Sequence, residues 1–441
     1  MSETRNLSSR IKEYLPSELV NFVQAVGAIA AYQGHHLYLV GGVVRDLLLD
    51  RSNLDLDLVV EGDALALAQQ AASVTQGKLT VYRRFGTARL RWGKWSIDFV
   101  RARSETYDRP GALPRVTPGS LSEDLFRRDF TINAMAINLN PGCYGEVIDI
   151  YGGRADLEKK YIRVLHEKSF TDDATRIWRA LRYEQRLDFH LETDTRRLLA
   201  RDIPMLDTIS SDRIRHELDL VLKEAQPEKV LRRAKELKVL SRLHPALKAG
   251  HTLSARFQRA REVVSPESQL ASELASSESR LASELASSES RLASVYLALL
   301  TYPLTDKEVE DFISLLRVPG RSAKIMRDSQ NLKTKLKLLA TANLAPSRVY
   351  TALQGYAPVA LLVSAVATDS TTVSRNIGLF YGWLRYVKPS LTGNCLIQMG
   401  VAPGPGVKEF LERLRAARLD GEVTTRQGER EMVTEWLRER G

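Results

Sequence analysis

The chain has 441 residues, of which 44% are hydrophobic and 27% are charged, a composition typical of a globular protein with roughly two to four domains. Its net charge of +10 favours a polyanionic partner such as nucleic acid. The sequence lacks an apolar run of about 18 residues, a secretion signal and more than two cysteines, so we expect a cytoplasmic protein that contacts no membrane, rather than a membrane-spanning or disulfide-rich one.

In the first third of the chain, the pattern of apolar residues predicts an N-terminal helical segment over residues 1–36, followed by short strands and helices. In chain order the patterns predict a strand over LYLV, a turn and helix over GGVVRDLLL, a strand over LDLDLVV, a helix over DALALAQQAASV, and strands over KLTVYRRF, GTARLRW and WSIDFVRAR. Residues 104–124 then contain three prolines and two glycines, which predicts a long loop. Long loops in compact domains are often functional.

Helical periodicity dominates the remainder, from Phe170 to the end, with turn signals at RDIPML, RLHPAL, YAPVA and VAPGPG. Within it, the sequence LASELASSESR occurs twice without change, over residues 270–280 and 281–291. Its leucines follow spacings of 4 and 7 and would form one stripe on a helix, although the serines leave disorder open. We interpret the repeat as a spacer rather than a binding element, because low-complexity segments rarely carry chemistry.

A glycine pair follows the first predicted strand, and two aspartates alternate with leucines in the second. The pair Gly41-Gly42 leaves backbone N–H groups available to an anion at the start of a helix that also carries Arg45. Asp55 and Asp57 leave one face of a strand, and a divalent cation usually relieves such repulsion. Separately these patterns indicate a tight turn and an exposed strand face. Together they predict the phosphate and metal sites of a nucleotidyl transferase.

Two further groups of polar residues could join this site. Asp98 lies mid-strand and could project into it as a third carboxylate, although an ion-paired or solvent-facing aspartate is an equally good interpretation. Arg128 and Asp129 precede a short apolar stretch that contains Asn133. We predict that Asp129 and Asn133 share a helix face, at spacing i,i+4, where an acid and an amide suit the hydroxyl groups of a ribose.

The stretch SFTDDATRIWRALRYEQRLDF adds a possible base-reading pair. Asp173 and Arg176 are i,i+3 on a predicted helix, whose start Thr171 or Asp172 could cap. A carboxylate accepts from an exocyclic amine and a guanidinium donates to ring nitrogens or carbonyls, so the pair could recognise both C and A. An ion pair within the helix is the structural alternative.

The motifs GGVVRD, DLDLV, RRDFTINAMA, DIYGGRADL and DDATR, in this order and spacing, resemble the class II tRNA nucleotidyltransferases. These are the CCA-adding enzymes with their CC-adding and A-adding relatives, and bacterial poly(A) polymerases share their head. The resemblance is good over residues 37–222, and residues 399–431 also look like the tail of this family. Asp50 departs from the pattern, because glycine is common at that position.

The resemblance implies an α+β fold, with a polymerase-β-like head containing a mixed sheet and all-helical neck, body and tail domains that bind tRNA. The expected boundaries are 1–157 for the head, 158–225 for the neck, 226–345 for the body with the repeat insert 268–294, and 346–441 for the tail. The implied activity is template-independent addition of C and/or A residues from CTP and ATP to the 3′ end of tRNA, with Mg²⁺ as the expected ion.

The resemblance also implies a role for each matching residue. Asp55 and Asp57 would bind the metal, and Gly41, Gly42 and Arg45 the triphosphate. The ribose and phosphates would contact Arg128, Asp129 and Asn133, and the incoming base would be read by Asp173 and Arg176. Residues 104–124 match a flexible loop implicated in A addition, and Glu105 and Arg109 are the charged residues of that loop expected to be functional.

Four alternatives stay open at this point. The loop sequence RPGALP resembles the loops of A-adding enzymes of a split pathway as much as those of full CCA-adding enzymes. A CC-adding enzyme is disfavoured by the long loop, and a poly(A) polymerase is a weaker option. A tRNA-binding protein on an inactive head is opposed by the intact Asp55 and Asp57. Neither the nucleotides added nor the oligomeric state follows from the sequence.

Overall fold

The computed structural model describes residues 6–264 and 288–440. The chain divides into two compact units, Met1–Glu217 and Leu218–Gly441. Over the described residues the strands are β1 (His36–Val40), β2 (Leu56–Glu61), β3 (Lys78–Tyr82), β4 (Thr87–Trp92), β5 (Trp95–Arg101), β6 (Arg103–Thr106), β7 (Arg115–Pro118), β8 (Ala136–Asn138), β9 (Val147–Ile148), β10 (Tyr161–Ile162) and β11 (His190–Leu191).

The helices of the described residues are numbered in chain order. Those that begin in the first unit are α1 (Ser8–Tyr14), α2 (Ser17–Tyr32), α3 (Gly42–Leu48), α4 (Ala64–Thr75), α5 (Leu121–Phe126), α6 (Gly153–Glu158), α7 (Ser169–Asp172), α8 (Thr175–Leu187), α9 (Thr193–Asp202) and α10 (Ser211–Leu222). The others are α11 (Pro227–Glu236), α12 (His251–Val264), α13 (Ser288–Thr301), α14 (Asp306–Leu315), α15 (Gly320–Lys333), α16 (Leu336–Leu339), α17 (Pro346–Leu353), α18 (Pro358–Ala367), α19 (Thr371–Gly382), α20 (Gly393–Gln398), α21 (Pro405–Leu419) and α22 (Arg426–Arg440).

The first unit contains a seven-stranded sheet in the order β3-β4-β5-β2-β1-β8-β9. β2 and β5 pair in parallel, whereas the other neighbours in this sheet are antiparallel. The sheet is therefore mixed, and the predicted α+β fold class is confirmed. The strands and helices predicted between β1 and β5 all form in the predicted order. Alternating apolar residues bury one or both faces of β1, β2, β4 and β5, whereas the edge strand β3 is only partly covered.

The two faces of this sheet are covered differently. On one face Phe99 of β5 meets Phe22 of α2 at a ring-centroid distance of 6.5 Å. On the other face Val59 of β2 packs with Leu125 of α5 in a buried apolar cluster. Asp57 lies two residues before Val59 and therefore on the same face, since side chains alternate along a strand. The fold thus places this carboxylate beside the end of α5.

Residues 104–124 contain more regular structure than the predicted loop. β6 and β7 form a two-stranded antiparallel hairpin, and α5 begins behind a capping box in which Ser120 and Glu123 bond each other's backbone. The irregular parts are residues 107–114 and the two residues 119–120. The loop prediction was too long because Pro118 occupies the last position of a short strand, where a missing N–H costs little.

The turn after α3 explains the departure at Asp50. This residue has a φ of +56°, in the left-handed region that favours glycine but that aspartate also tolerates. Its carboxylate lies 3.1 Å from Nη1 of Arg10 on α1. The aspartate therefore adopts a backbone conformation that glycine would also allow, and its side chain contacts α1.

The second unit is helical throughout its described residues, as predicted. Phe257 of α12 stacks on Tyr296 of α13 at 4.2 Å, and a separate apolar core near the C-terminus includes Leu396, Phe410 and Val433. The helical pattern predicted after Phe170 is interrupted in the first unit, where β10 and β11 form a short parallel pair.

Two sequence features concern the second unit. No single helix among the described residues combines the length and apolarity needed to cross a membrane. The pair α17 and α18 meets both conditions only jointly, and it is bent by 112°. The repeat over residues 270–291 lies outside the described residues up to 287, and its last four residues begin α13.

Candidate active site

One cavity of about 480 Å³ in the first unit collects most of the predicted site residues. The predicted residues that line it are Gly41, Gly42, Arg45, Asp55, Asp57, Glu105, Arg128, Asp129, Asn133, Asp173 and Arg176. The lining also includes Asn53, Tyr107, Arg127, Arg179, Tyr183 and Arg186, which the sequence did not single out. Two predicted residues, Asp98 and Arg109, are not part of it.

The glycine pair lets the backbone approach charged side chains. Gly41 has a φ of +79°, and a Cβ added there would lie 3.0 Å from Nη1 of Arg128 and 3.5 Å from Oδ2 of Asp57. α3 starts at the next residue, Gly42. A side chain at position 41 would therefore be strained and would crowd the carboxylate and the guanidinium together.

The two aspartates of the DLD motif lie in different environments. Asp55 is exposed and precedes β2 by one residue, whereas Asp57 is inside β2 and mostly buried. Burial raises the pKa of Asp57 to about 6; repulsion from Asp55 and Asp98 adds to this effect, and Arg128 opposes it. Because water solvates the ionised form of Asp57 poorly, a bound cation would stabilise that form more strongly than it would stabilise an exposed carboxylate.

The donor set fits a hard divalent cation. Asp55 and Asp57 offer carboxylate oxygens to one cavity, and such oxygens are the ligands that Mg²⁺ prefers. Among the residues that the structure describes, no group of three or more His, Cys, Asp or Glu side chains is arranged to hold a metal. Two protein carboxylates leave the remaining positions of an octahedral ion to water and phosphate oxygens, as is usual for Mg²⁺.

Asp98 is held in an ion pair. It accepts two hydrogen bonds from Arg89, at 2.7 Å from Nε and 2.6 Å from Nη2. Asp98 is the register partner of Asp57 on the parallel strand, so both lie on one face of the sheet. The structure therefore shows the ion-paired alternative, and a catalytic role for Asp98 stays a prediction that requires Arg89 to release it.

A chain of buried polar side chains crosses the floor of the cavity. Asp46 accepts two hydrogen bonds of 2.8 Å from Arg45, whose Nη1 donates to Oδ1 of Asn133 at 2.8 Å. The amide of Asn133 donates to Asp129 at 3.0 Å, and Asp129 also accepts from Nε of Arg179 at 2.9 Å. Burial alone would raise the pKa of Asp129, but Arg179 and Asn133 outweigh it and lower the pKa to about 2. Each member is fixed by its neighbours.

The contact between Asp129 and Asn133 has a different origin from the one predicted. Residues Thr131–Asn133 form a single 3-10 turn and Phe130 is extended, with a φ of −139°, so the predicted helix over this stretch is wrong. The two side chains meet because the turn brings the chain back, and not because they share a helix face. Their predicted proximity is nevertheless correct.

The arginine pair at the end of α5 is anchored by buried acids. Asp124 accepts from Nη2 of Arg127 at 2.6 Å and from Nη2 of Arg128 at 3.0 Å. Arg127 also donates to Glu105 of the β6–β7 hairpin at 3.1 Å, and Glu105 accepts from the hydroxyl of Tyr107 at 2.9 Å. Of the two charges predicted to work in the loop, Glu105 is thus tied to the cavity.

Asp173 and Arg176 both face the cavity without pairing with each other. Asp173 lies between α7 and α8 in an extended conformation, and it accepts a hydrogen bond from the backbone N–H of Thr175, the first residue of α8, at 3.0 Å. Its Oδ1 accepts from Arg213 at 2.7 Å as well. Nη2 of Arg176 donates to the carbonyl of Arg127 at 2.6 Å. The predicted common helix and the alternative of an intrahelical ion pair are both wrong.

Of the six lining residues that the sequence did not single out, Tyr107 and Arg127 contact Glu105, as described above. The other four fall into two groups. Arg179, Tyr183 and Arg186 follow Arg176 at spacings of 3, 4 and 3 on α8, so they share its helix face. That periodic signal was present in the sequence. In contrast, Asn53 lies in an irregular segment and carries no periodic signal.

Several known proteins are similar to this chain over most of its length. The family "Poly A polymerase head domain" matches residues 37–163, and the "Probable RNA and SrmB- binding site of polymerase A" matches residues 188–250. An A-adding tRNA nucleotidyltransferase of Halalkalibacterium halodurans is 30% identical, with coverage of 98% of this chain and 96% of that protein. The solved complex of a CCA-adding enzyme with ATP has a TM-score of 0.79 and 28% identity, with coverage of 98% of this chain and 99% of that one.

An A-adding tRNA nucleotidyltransferase of Geobacter sulfurreducens is 33% identical over 96% of this chain, which spans only 48% of that longer relative. The match to the Halalkalibacterium protein, in contrast, extends through nearly all of both sequences. Enzymes that transfer nucleotides generally use divalent metal ions, and Asp55 and Asp57 could serve as ligands for such an ion. On the full-length similarity, the chain belongs to the tRNA nucleotidyltransferase family.

Proposed function

We propose that this protein is a metal-dependent tRNA nucleotidyltransferase that adds C and/or A residues from CTP and ATP to the 3′ end of tRNA without a nucleic-acid template. One observation carries the proposal: a single cavity is lined by Asp55 and Asp57, by the glycine pair at the start of α3, and by Asp173 with Arg176. Because Asp55 and Asp57 are intact and face this cavity, a tRNA-binding protein on an inactive head is disfavoured.

The proposed reaction joins the 3′-hydroxyl oxygen of tRNA to the α-phosphorus of the nucleotide and releases pyrophosphate. Asp55 and Asp57 would hold Mg²⁺, which when bound lowers the pKa of the hydroxyl group and neutralises phosphate charge. Arg45 and Arg128 would contact the triphosphate. Both guanidiniums already hydrogen-bond buried carboxylates, so they stabilise developing charge without reorganising during the reaction.

Sugar and base recognition would use the other side of the cavity. Asp129 and Asn133 present an acid and an amide to the ribose hydroxyls. All of the hydrogen bonds that the described structure gives to the carboxylate of Asp173 go to Oδ1, so Oδ2 can accept from an exocyclic amine. Arg176 has five N–H donors, of which its contacts with backbone carbonyls use two, leaving others for a ring nitrogen or carbonyl. Cytosine and adenine both carry that amine, whereas uracil does not.

We propose that the helical domains bind the tRNA, with the neck, body and tail divided at residues 158, 226 and 346. Residues 370–408 contain no acidic residue, but they include Arg385 and Lys388. In this stretch Trp383 and Tyr386 are each about half exposed, and Arg385 lies 4.7 Å from the ring of Tyr386. Exposed aromatics beside cations can stack on unpaired bases. We expect the protein to work in the cytoplasm, where tRNA is matured.

The nucleotide added is the finer part of the proposal. The Halalkalibacterium relative, which matches over nearly the whole of both chains, is named an A-adding enzyme. A Bacillus cereus relative that is covered to 95% and a solved neighbour that is covered to 99% are both named CCA-adding enzymes. The β6–β7 hairpin, whose Glu105 is buried against Arg127, supports A addition and disfavours an enzyme that adds C alone. Addition of A only is therefore the second candidate, beside addition of the complete CCA.

The experiment offers tRNA transcripts that end at the discriminator base, at one C or at two Cs, with CTP, ATP or both, and sequences the products. Extension of every transcript to CCA supports a complete CCA-adding enzyme, and extension of only the CC-ending transcript supports an A-adding one. Long A tails on unrelated RNA would instead show a poly(A) polymerase. The matched control is Asp57→Ala, which should abolish incorporation and leave tRNA binding near wild type. Incorporation by that variant would overturn the metal assignment.

A further inference from the structure

Asn53 uses its whole amide group to connect two parts of the site. It lies in the irregular segment between α3 and β2, the same segment that carries Asp55. Its Nδ2 donates to Oδ2 of Asp46 at 2.7 Å, and its Oδ1 accepts from the backbone N–H of Asp55 at 3.0 Å. One side chain therefore bonds both the backbone of a proposed metal ligand and a carboxylate on α3.

The carboxylate on α3 is the one that holds the proposed triphosphate ligand. Asp46 accepts two hydrogen bonds of 2.8 Å from Arg45, and one of its two oxygens is shared with Asn53. The Gly42 position lies against the same pair, because a Cβ there would be 3.5 Å from Arg45 and 3.6 Å from Asn53. A continuous path of hydrogen bonds therefore links the segment that carries Asp55 to Arg45.

We propose that Asn53 is a positioning residue that couples metal binding to triphosphate binding. The inference rests on the proposed function, since it takes Asp55 as a metal ligand and Arg45 as a phosphate ligand. Asn53 fixes the N-terminal side of Asp55, and β2 fixes the other side through the pairing of Leu56 with Ile97. An ion held by Asp55 therefore also stabilises the arrangement in which Arg45 meets the phosphates, and the effect is reciprocal.

The amide is chemically specific at this position. Aspartate would keep the acceptor for Asp55 but would put a second carboxylate against Asp46, where the present distance is 2.7 Å. Serine would keep only a short acceptor for the backbone N–H, and alanine would keep neither bond. A matched control is the adjacent Ser52, whose hydroxyl donates to the carbonyl of Tyr14 at 3.2 Å and does not contact Asp46.

The test measures nucleotide binding without turnover. ATP binding to the full chain is titrated calorimetrically without tRNA, once in EDTA and once in saturating Mg²⁺, and the ratio of the two dissociation constants reports the coupling. For Asn53→Ala and Asn53→Ser we expect the ratio to fall at least roughly threefold, with the dissociation constant in EDTA within about twofold of wild type. Ser52→Ala should keep the wild-type ratio.

The outcomes separate this inference from the proposed function. If Mg²⁺ strengthens ATP binding in the wild type and the ratio is unchanged in both Asn53 variants, the coupling role is refuted and the proposed function stands. If Mg²⁺ has no effect on ATP binding by the wild type, the proposed metal and phosphate sites are themselves refuted. Equal weakening of ATP binding in EDTA and in Mg²⁺ would assign Asn53 a purely structural role and also refute the coupling.

Discussion

Replacing Asp57 by asparagine should stabilise the metal-free protein while abolishing catalysis. The folded protein raises the pKa of this carboxyl from 3.8 to about 6, mainly because it is buried in β2. A raised pKa means that the folded state binds this proton more tightly than the unfolded chain does. The contribution to stability is therefore fully present below pH 3.8 and is lost as the pH rises through 6. The stability lost between pH below 3.8 and pH 7.5 is about 3 kcal/mol, which corresponds to the difference between the two pKa values.

The assay is urea unfolding in EDTA, with amide hydrogen exchange of β2 and β5 to follow the sheet itself. Asp57→Asn should raise the free energy of unfolding of the sheet by up to about 3 kcal/mol at pH 7.5, and by only about 1 kcal/mol at pH 4.5. Saturating Mg²⁺ should stabilise the wild type, because it binds only the folded site, and should therefore reduce the difference in free energy of unfolding between the wild type and Asp57→Asn.

The matched control is Asp55→Asn. Asp55 is exposed, so its neutralisation should leave stability nearly unchanged, apart from a small gain through the lower pKa of Asp57. Both variants should lose incorporation of CTP and ATP, since each removes a proposed metal ligand. Equal stability of the two variants at pH 7.5 would refute the reasoning, because only the burial of Asp57 distinguishes them.

Three further outcomes are expected. Gly41→Ala should reduce incorporation by at least roughly tenfold without unfolding the helical unit, because a Cβ at a φ of +79° is strained and crowds the proposed phosphate site; near-normal kinetics would contradict this account. Asp173→Ala and Arg176→Ala should each reduce the preference for CTP and ATP over UTP and GTP, measured as kcat/KM ratios, and unchanged ratios would mean that another element reads the base. Cys395 should be alkylated with a pH midpoint near 7, since the hydroxyl of Thr392 donates to the thiol and lowers its pKa to about 7; Thr392→Val should raise the midpoint.

The parts of the fold that were predicted correctly are those in which one residue pattern dominates. β2 follows from alternating leucines and aspartates, and the start of α3 follows from the glycine pair. The short strands β6 and β7 were missed because Pro118 and neighbouring glycines indicate a loop, and because such strands are stabilised by each other rather than by a buried face. The helix assigned to residues 129–133 was wrong because an extended Phe130 precedes a single turn.

The sequence pointed to the cavity-lining residues that combine charge with a regular spacing, and it missed Asn53, which contacts its partners through an irregular segment; the roles of all these residues stay predictions. Asp55, Asp57 and Arg45 follow from charge and spacing alone. Asp46 follows Arg45 directly in the sequence, but its role depends on a hydrogen bond to Asn53, seven residues away in an irregular segment. No periodicity encodes such a contact, since it depends on how the turn folds back on α3. Arg179 could have been predicted from the sequence, because it shares a helix face with Arg176.

The balance of charges in the cavity indicates what the cavity can bind. Six arginines and five carboxylates line it, so the lining itself is almost neutral. Two further carboxylates, Asp46 and Asp124, lie behind Arg45, Arg127 and Arg128 and hold their guanidiniums toward the cavity. A nucleoside triphosphate brings about four negative charges, more than this lining can balance alone. A divalent cation bound by Asp55 and Asp57 would supply most of the missing positive charge, next to the partly buried carboxylate of Asp57. Metal and nucleotide are therefore expected to bind this cavity together.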